Sequence, residues 1–120
     1  AERAMKTKAN AYSPKVSKVI QYIERNLDNT LTLNELASHV DLAPSYLSRI
    51  FNQEINKSIS QYIIELRIKK ARDLIARTKM TVSEVASYVG FKEQSYFTQC
   101  FKKQYGVPPL KYRTEHKEFY

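Results

Sequence analysis

The chain says the same thing twice. Thr32 to Phe51 reads TLNELASHVDLAPSYLSRIF, and Thr81 to Phe101 reads TVSEVASYVGFKEQSYFTQCF. With one residue added in the second turn, Thr32/Thr81, Glu35/Glu84, Ala37/Ala86, Ser38/Ser87, Val40/Val89, Ser45/Ser95, Tyr46/Tyr96 and Phe51/Phe101 match. Each copy is a short capped helix, a tight turn and a second amphipathic helix. That is the layout of a helix-turn-helix, whose second helix enters the major groove of DNA. Ala37 and Ala86 are small where two helices cross closely. Leu36, Val40, Leu42, Leu47 and Ile50 supply the interhelical core of the first copy, and Val85, Val89, Phe91, Phe97 and Phe101 that of the second. Gly90 takes a positive φ at no steric cost, and Asp41 holds the equivalent place as a tolerable substitute.

Helical spacing governs the rest. Ser13-Pro14 opens a helix whose buried stripe is Val16, Val19, Ile20, Ile23 and Leu27, and which breaks at Asp28-Asn29. Capping boxes at Thr32–Glu35, Ser58–Gln61 and Thr81–Glu84 open three more helices, and Pro44 and Pro109 open two others. Asn56 and Gly106 close helices in the left-handed conformation. The helix from about 58 to 77 has apolar residues on two sides, Tyr62, Ile63 and Leu66 on one and Ile64, Ile68, Ala71 and Ile75 on another, as suits a central helix touching a lobe on each side. The expectation is an all-α chain of seven helices: a tail over 1–12, a first helix-turn-helix lobe over about 13–57, a linker helix over about 58–77, and a second lobe over about 78–116. At about 18 residues that linker is roughly 27 Å long.

Charge narrows the partner. Lys and Arg number 20 against 12 Asp and Glu, a net +8, which attracts polyanions. The single cysteine, Cys100, excludes an internal disulfide and suits a reducing cytoplasm. Nothing approaches the roughly 18 apolar residues of a membrane span, and Ala1–Lys6 lacks the core of a signal peptide. A start without Met points to a piece of a longer protein with a sensing domain upstream.

Gly90-Phe91, Ser95-Tyr96-Phe97, Phe101-Lys102-Lys103, Tyr105-Gly106 and Pro109 with Tyr112-Arg113 resemble the signature of the AraC/XylS family of transcription regulators. Leu36-Ala37, Tyr46 through Phe51, Tyr62, Arg67, Ala71 and Leu74 agree with it in the first half. The resemblance covers about residues 14–116. It implies two helix-turn-helix lobes joined by a linker helix, reading successive major-groove segments as one protomer on an asymmetric promoter site. It also implies RNA polymerase as a partner and activation as the commoner outcome. The leading YSPKVSKVIQYIERNL is most similar to members in which this domain is the C-terminal output of a response regulator.

Base contacts are implied at Ser45, Ser48 and Arg49 in the first lobe. Arg49 pairs bidentately with guanine O6 and N7. Ser45 stands where relatives often carry a larger side chain. In the second lobe Gln94, Ser95, Thr98 and Gln99 face outward, and Gln94 or Gln99 suits adenine N6 and N7. Many relatives are basic where this chain has Gln99, a departure that softens the grip. Phosphate positioning is expected from Asn52, Lys57, Arg67, Lys102, Lys103 and Arg113, with backbone N–H groups at helix starts.

Other functions find little purchase. Cys100 lies between inward Phe97 and Phe101, as an inert half-buried thiol. His39 and His116 have no metal-ligand spacing, and no glycine-rich phosphate loop exists, so neither catalysis, metal nor cofactor is expected. An architectural DNA bender inserts outward apolar wedges, which neither reading helix displays.

Overall fold

The computed structural model describes residues 12–119, so all but one residue of the expected tail over 1–12 lies outside the described residues. Among the described residues there are seven helices and no strand. They are α1 (Pro14–Arg25), α2 (Leu33–His39), α3 (Pro44–Ile55), α4 (Ile59–Arg77), α5 (Val82–Tyr88), α6 (Gln94–Tyr105) and α7 (Pro109–His116). The chain divides into two compact units. One holds the described residues up to Asn26 with Thr30–Tyr62; the other holds Leu27–Asn29 with the described residues from Ile63 onward. The dividing line therefore falls inside α4.

In the first unit α1, α2 and α3 touch one another pairwise. Val16, Val19, Ile20 and Ile23 bury the apolar stripe of α1, and Leu36, Ala37, Val40, Leu47 and Phe51 fill the helix-turn-helix core. Tyr62 meets Phe51 edge-on, with centroids 5.5 Å apart, in the geometry aromatic quadrupoles favour. Ser13 precedes Pro14 in extended conformation, and its N–H donates to Glu54 Oε1 at 2.9 Å.

The second unit is built on a continuous buried cluster: Ile68, Ala71 and Ile75 of α4, Val85, Ala86 and Val89 around α5, and Phe97 and Phe101 of α6. Phe91, Tyr105 and Tyr112 extend it as a chain of tilted and edge-on rings. Burying these rings stabilises the unit, at about 25 cal/mol per Å² of apolar surface removed from water.

The two turns of the repeat use the same backbone bonds. Leu42 N–H donates to Ala37 O at 3.0 Å, and Phe91 N–H donates to Ala86 O at 2.9 Å. Each bond needs the preceding residue in a positive-φ conformation, and Asp41 (φ 57°) and Gly90 (φ 100°) supply it. The extra residue of the second copy follows Phe91, so α6 starts one residue later than α3 does. Asn56 (φ 68°) and Gly106 (φ 85°) end α3 and α6 as the sequence predicts.

The capping boxes are unequal. Thr81 Oγ1 accepts from Glu84 N–H at 3.0 Å while Thr81 N–H donates to Glu84 Oε1 at 2.8 Å, a complete box. At α2 only the first half forms, with Thr32 Oγ1 accepting from Glu35 N–H at 3.1 Å. The Glu35 carboxylate accepts instead from the Tyr22 hydroxyl at 2.6 Å, which corrects the reciprocal box expected there. That bond is the main reason the Tyr22 pKa lies above its ordinary value. Ser58 caps α4, its Oγ accepting from Gln61 N–H at 3.0 Å.

Candidate nucleic-acid interface

Each unit presents its second repeat helix with one face in the core and the other in solvent. On α3, Leu47 and Phe51 are buried and Ile50 half-buried, while Ser45, Ser48, Arg49 and Asn52 are exposed. On α6, Phe97 and Phe101 are buried, Gln94, Ser95, Gln99, Lys102 and Lys103 are exposed, and Thr98 is half-buried. The polar rows follow from the 3.6-residue period, which leaves the positions between the core residues no place but outward. An open groove lined by Ser83, Ser87, Gly90, Lys92 and Gln94 runs beside the second turn. Its hydroxyls and amine are groups that bind phosphate oxygens.

Both α3 and α6 also carry an exposed aromatic ring. Tyr46 keeps 44% and Tyr96 49% of its surface, although no outward apolar residue is expected on either helix from sequence. The repeat held the signal, since Tyr46 and Tyr96 match across the copies and neither lies on the inward stripe. Their surroundings differ. Arg49 Cζ sits 5.2 Å from the Tyr46 ring centroid, in cation–π contact. The Tyr96 pKa is raised above its ordinary value by the neighbouring Cys100 thiol, and its ring lies 5.9 Å from Phe91.

Two of the arginines expected at phosphates have other tasks. Arg67 Nε donates to Leu27 O at 3.1 Å and its Nη2 to Asn29 O at 2.7 Å. Burial lowers the pKa of this guanidinium, against the opposing pull of Asp28. Arg113 Nε donates to Ile75 O at 2.8 Å, and its Nη2 donates to Met80 O. A guanidinium fixed to carbonyls of its own fold has a structural task, and Arg67 and Arg113 each have one. Lys57 is half-buried between α3 and α4, whereas Lys102 and Lys103 stand exposed in the last turn of α6.

Cys100 is half-buried on α6. Among the described residues no three His, Cys, Asp or Glu side chains gather as a metal site would require, and no helix is long and apolar enough to cross a membrane.

A helix-turn-helix domain family matches residues 36–115. The HTH-type transcriptional regulator GbdR of Pseudomonas aeruginosa is 35% identical over 96 residues, which are 80% of this chain and 26% of that protein. The arabinose operon regulatory protein of Escherichia coli is 35% identical over 105 residues, 87% of this chain and 36% of that protein. The chain thus spans about a quarter to a third of the length of these curated relatives. Among solved structures, the C-terminal domain of AraT, a response regulator from Geobacillus stearothermophilus, superimposes with a TM-score of 0.83 at 36% identity, over 88% of each chain.

Proposed function

The chain belongs to the AraC/XylS family of helix-turn-helix DNA-binding transcription regulators, and from that premise we propose that it reads an asymmetric promoter site with two helices, α3 and α6, each in a major groove. The observation that carries this reading is the repeated helix with a buried apolar face and an exposed polar row, borne on a chain of net charge +8. Arg49 reads guanine, with Ser45 and Ser48 beside it. Gln94, Ser95, Thr98 and Gln99 read the second segment. Asn52, Lys57, Lys102 and Lys103 hold phosphates, which set register but carry no sequence information. The function needs no catalytic group, metal or cofactor.

The output is activation in the cytoplasm through contact with RNA polymerase, commanded by a receiver or other sensing domain upstream. Supporting that last part are the likeness to a response regulator's C-terminal domain and the fraction of its relatives that the chain spans. Selection of a preferred duplex by the chain, followed by Arg49→Ala, tests the base reading. The variant loses about 1–3 kcal/mol on the selected site and relaxes preference at one base pair, with nonspecific binding little changed. A uniform loss on every duplex would make Arg49 a phosphate contact instead.

A further inference from the structure

We propose that Tyr46 is a specificity-determining residue whose ring takes the 5-methyl group of a thymine beside the guanine read by Arg49, so that α3 reads a thymine–guanine step. Resting on the DNA reading of α3 given above, this adds one base to it and names the chemistry that recognises that base.

The helix geometry puts the two side chains on neighbouring base pairs. Tyr46 and Arg49 are three residues apart on α3, about 60° round the helix and about 4.5 Å along it. Base pairs repeat every ~3.4 Å along each strand, so two side chains that touch on this face reach adjacent rungs. They do touch, at 5.2 Å from Cζ to ring centroid.

In the major groove thymine shows an acceptor and a methyl group, and the methyl is met by apolar surface. The row Ser45, Ser48, Asn52 can answer only with hydrogen bonds. Tyr46 is the one large apolar side chain on α3 that stays exposed. With Arg49 on the ring, its remaining surface is open to a methyl group. The ring in turn limits the rotamers of Arg49, so the guanidinium meets guanine partly ordered.

The second copy lacks this arrangement. Where Arg49 lies against the Tyr46 ring the second copy has Gln99, which carries no charge to place on Tyr96, and Cys100 replaces Ile50. Methyl reading therefore belongs to α3.

The test uses the full chain on its selected duplex. The guanine is identified as the base pair at which Arg49→Ala loses preference, and the thymine beside it is replaced by deoxyuridine, which removes the methyl group alone. Wild type should lose about fourfold in Kd, the worth of one buried methyl group. Tyr46→Ala should be indifferent to the replacement, and Tyr46→Phe should respond as wild type does. Tyr46 is an exposed helical residue, and unchanged thermal melting of both variants verifies that they fold. Three results would overturn the proposal: no thymine beside that guanine, a wild type indifferent to uracil, or a Tyr46→Ala variant as sensitive as wild type. With the Arg49 guanine preference intact, any of these removes only the Tyr46 assignment. Should Arg49→Ala lose no base preference, the reading of α3 falls and this assignment falls with it.

Discussion

A Cβ built on Gly90 would lie 3.0 Å from Cζ of Arg67, so the turn of the second unit closes against a guanidinium. That guanidinium cannot retreat freely, because it is tied to the carbonyls of Leu27 and Asn29. Beside it Lys70 Nζ bonds Asp28 Oδ1 at 2.7 Å and lies 5.2 Å from the Tyr88 ring centroid. The segment 27–29 and the turn at Gly90 thus share one set of cationic partners on α4. Glycine is needed at residue 90 twice over, for φ 100° and for this approach.

Gly90→Ala should therefore cost about 2 kcal/mol from backbone strain alone, read as a lower midpoint in thermal unfolding. The same site in the first copy, Asp41, already accepts φ 57°. Asp41→Gly should change stability by less than about 1 kcal/mol, relief of strain being offset by a freer unfolded chain. Equal effects at the two sites would show that the Arg67 contact and the larger φ do not matter.

Arg113 and Lys103 separate structure from binding. Removing the Arg113 guanidinium leaves the carbonyls of Ile75 and Met80 without their charged donor, so Arg113→Ala should cost about 2 kcal/mol of stability. The slope of log K against log salt for DNA should stay as it is. Lys103→Ala should do the reverse, leaving the unfolding midpoint in place and flattening the slope by about 0.9, one phosphate's worth. A flattened slope for Arg113→Ala would return that residue to the interface.

How much of this was legible in the sequence follows from where the partners lie. The box at Thr81, the left-handed ends at Asn56 and Gly106 and the two buried stripes are local, set by residues three or four apart, and the sequence shows them. The box at Thr32 obeys the same local rule, yet Glu35 goes to Tyr22, a competitor on another helix that no spacing announces. Arg67 and Arg113 resemble ordinary surface cations because their partners are backbone carbonyls, which every residue has. On the reading helices periodicity separates inward from outward positions, but not an outward serine from an outward tyrosine with a task. The repeat marks Tyr46 by its match to Tyr96, but that its ring stays exposed beside Arg49 is visible only in the fold.

The helices α3 and α6 differ in what they show, Ser48 and Arg49 on one against Thr98 and Gln99 on the other. If both read bases, the site has two unlike elements in a fixed order, and a palindrome read by a symmetric dimer is not required. The chain between them runs through α4, a helix of 19 residues and so about 28 Å long. A helix does not lengthen, so one spacing of the two elements should be preferred, to within what modest DNA bending supplies. Inserting about five base pairs, half a turn, turns the second element to the far side of the duplex and should cut affinity sharply. Inserting about ten restores the facing but adds roughly 34 Å, which α4 cannot span, so affinity should stay low. Binding of this chain to its selected site and to both spacer variants decides it. Intact affinity after the half-turn insertion would mean that one helix alone reads DNA, and Gln99, which stands where the first copy has Arg49, is then the first residue to replace by Arg.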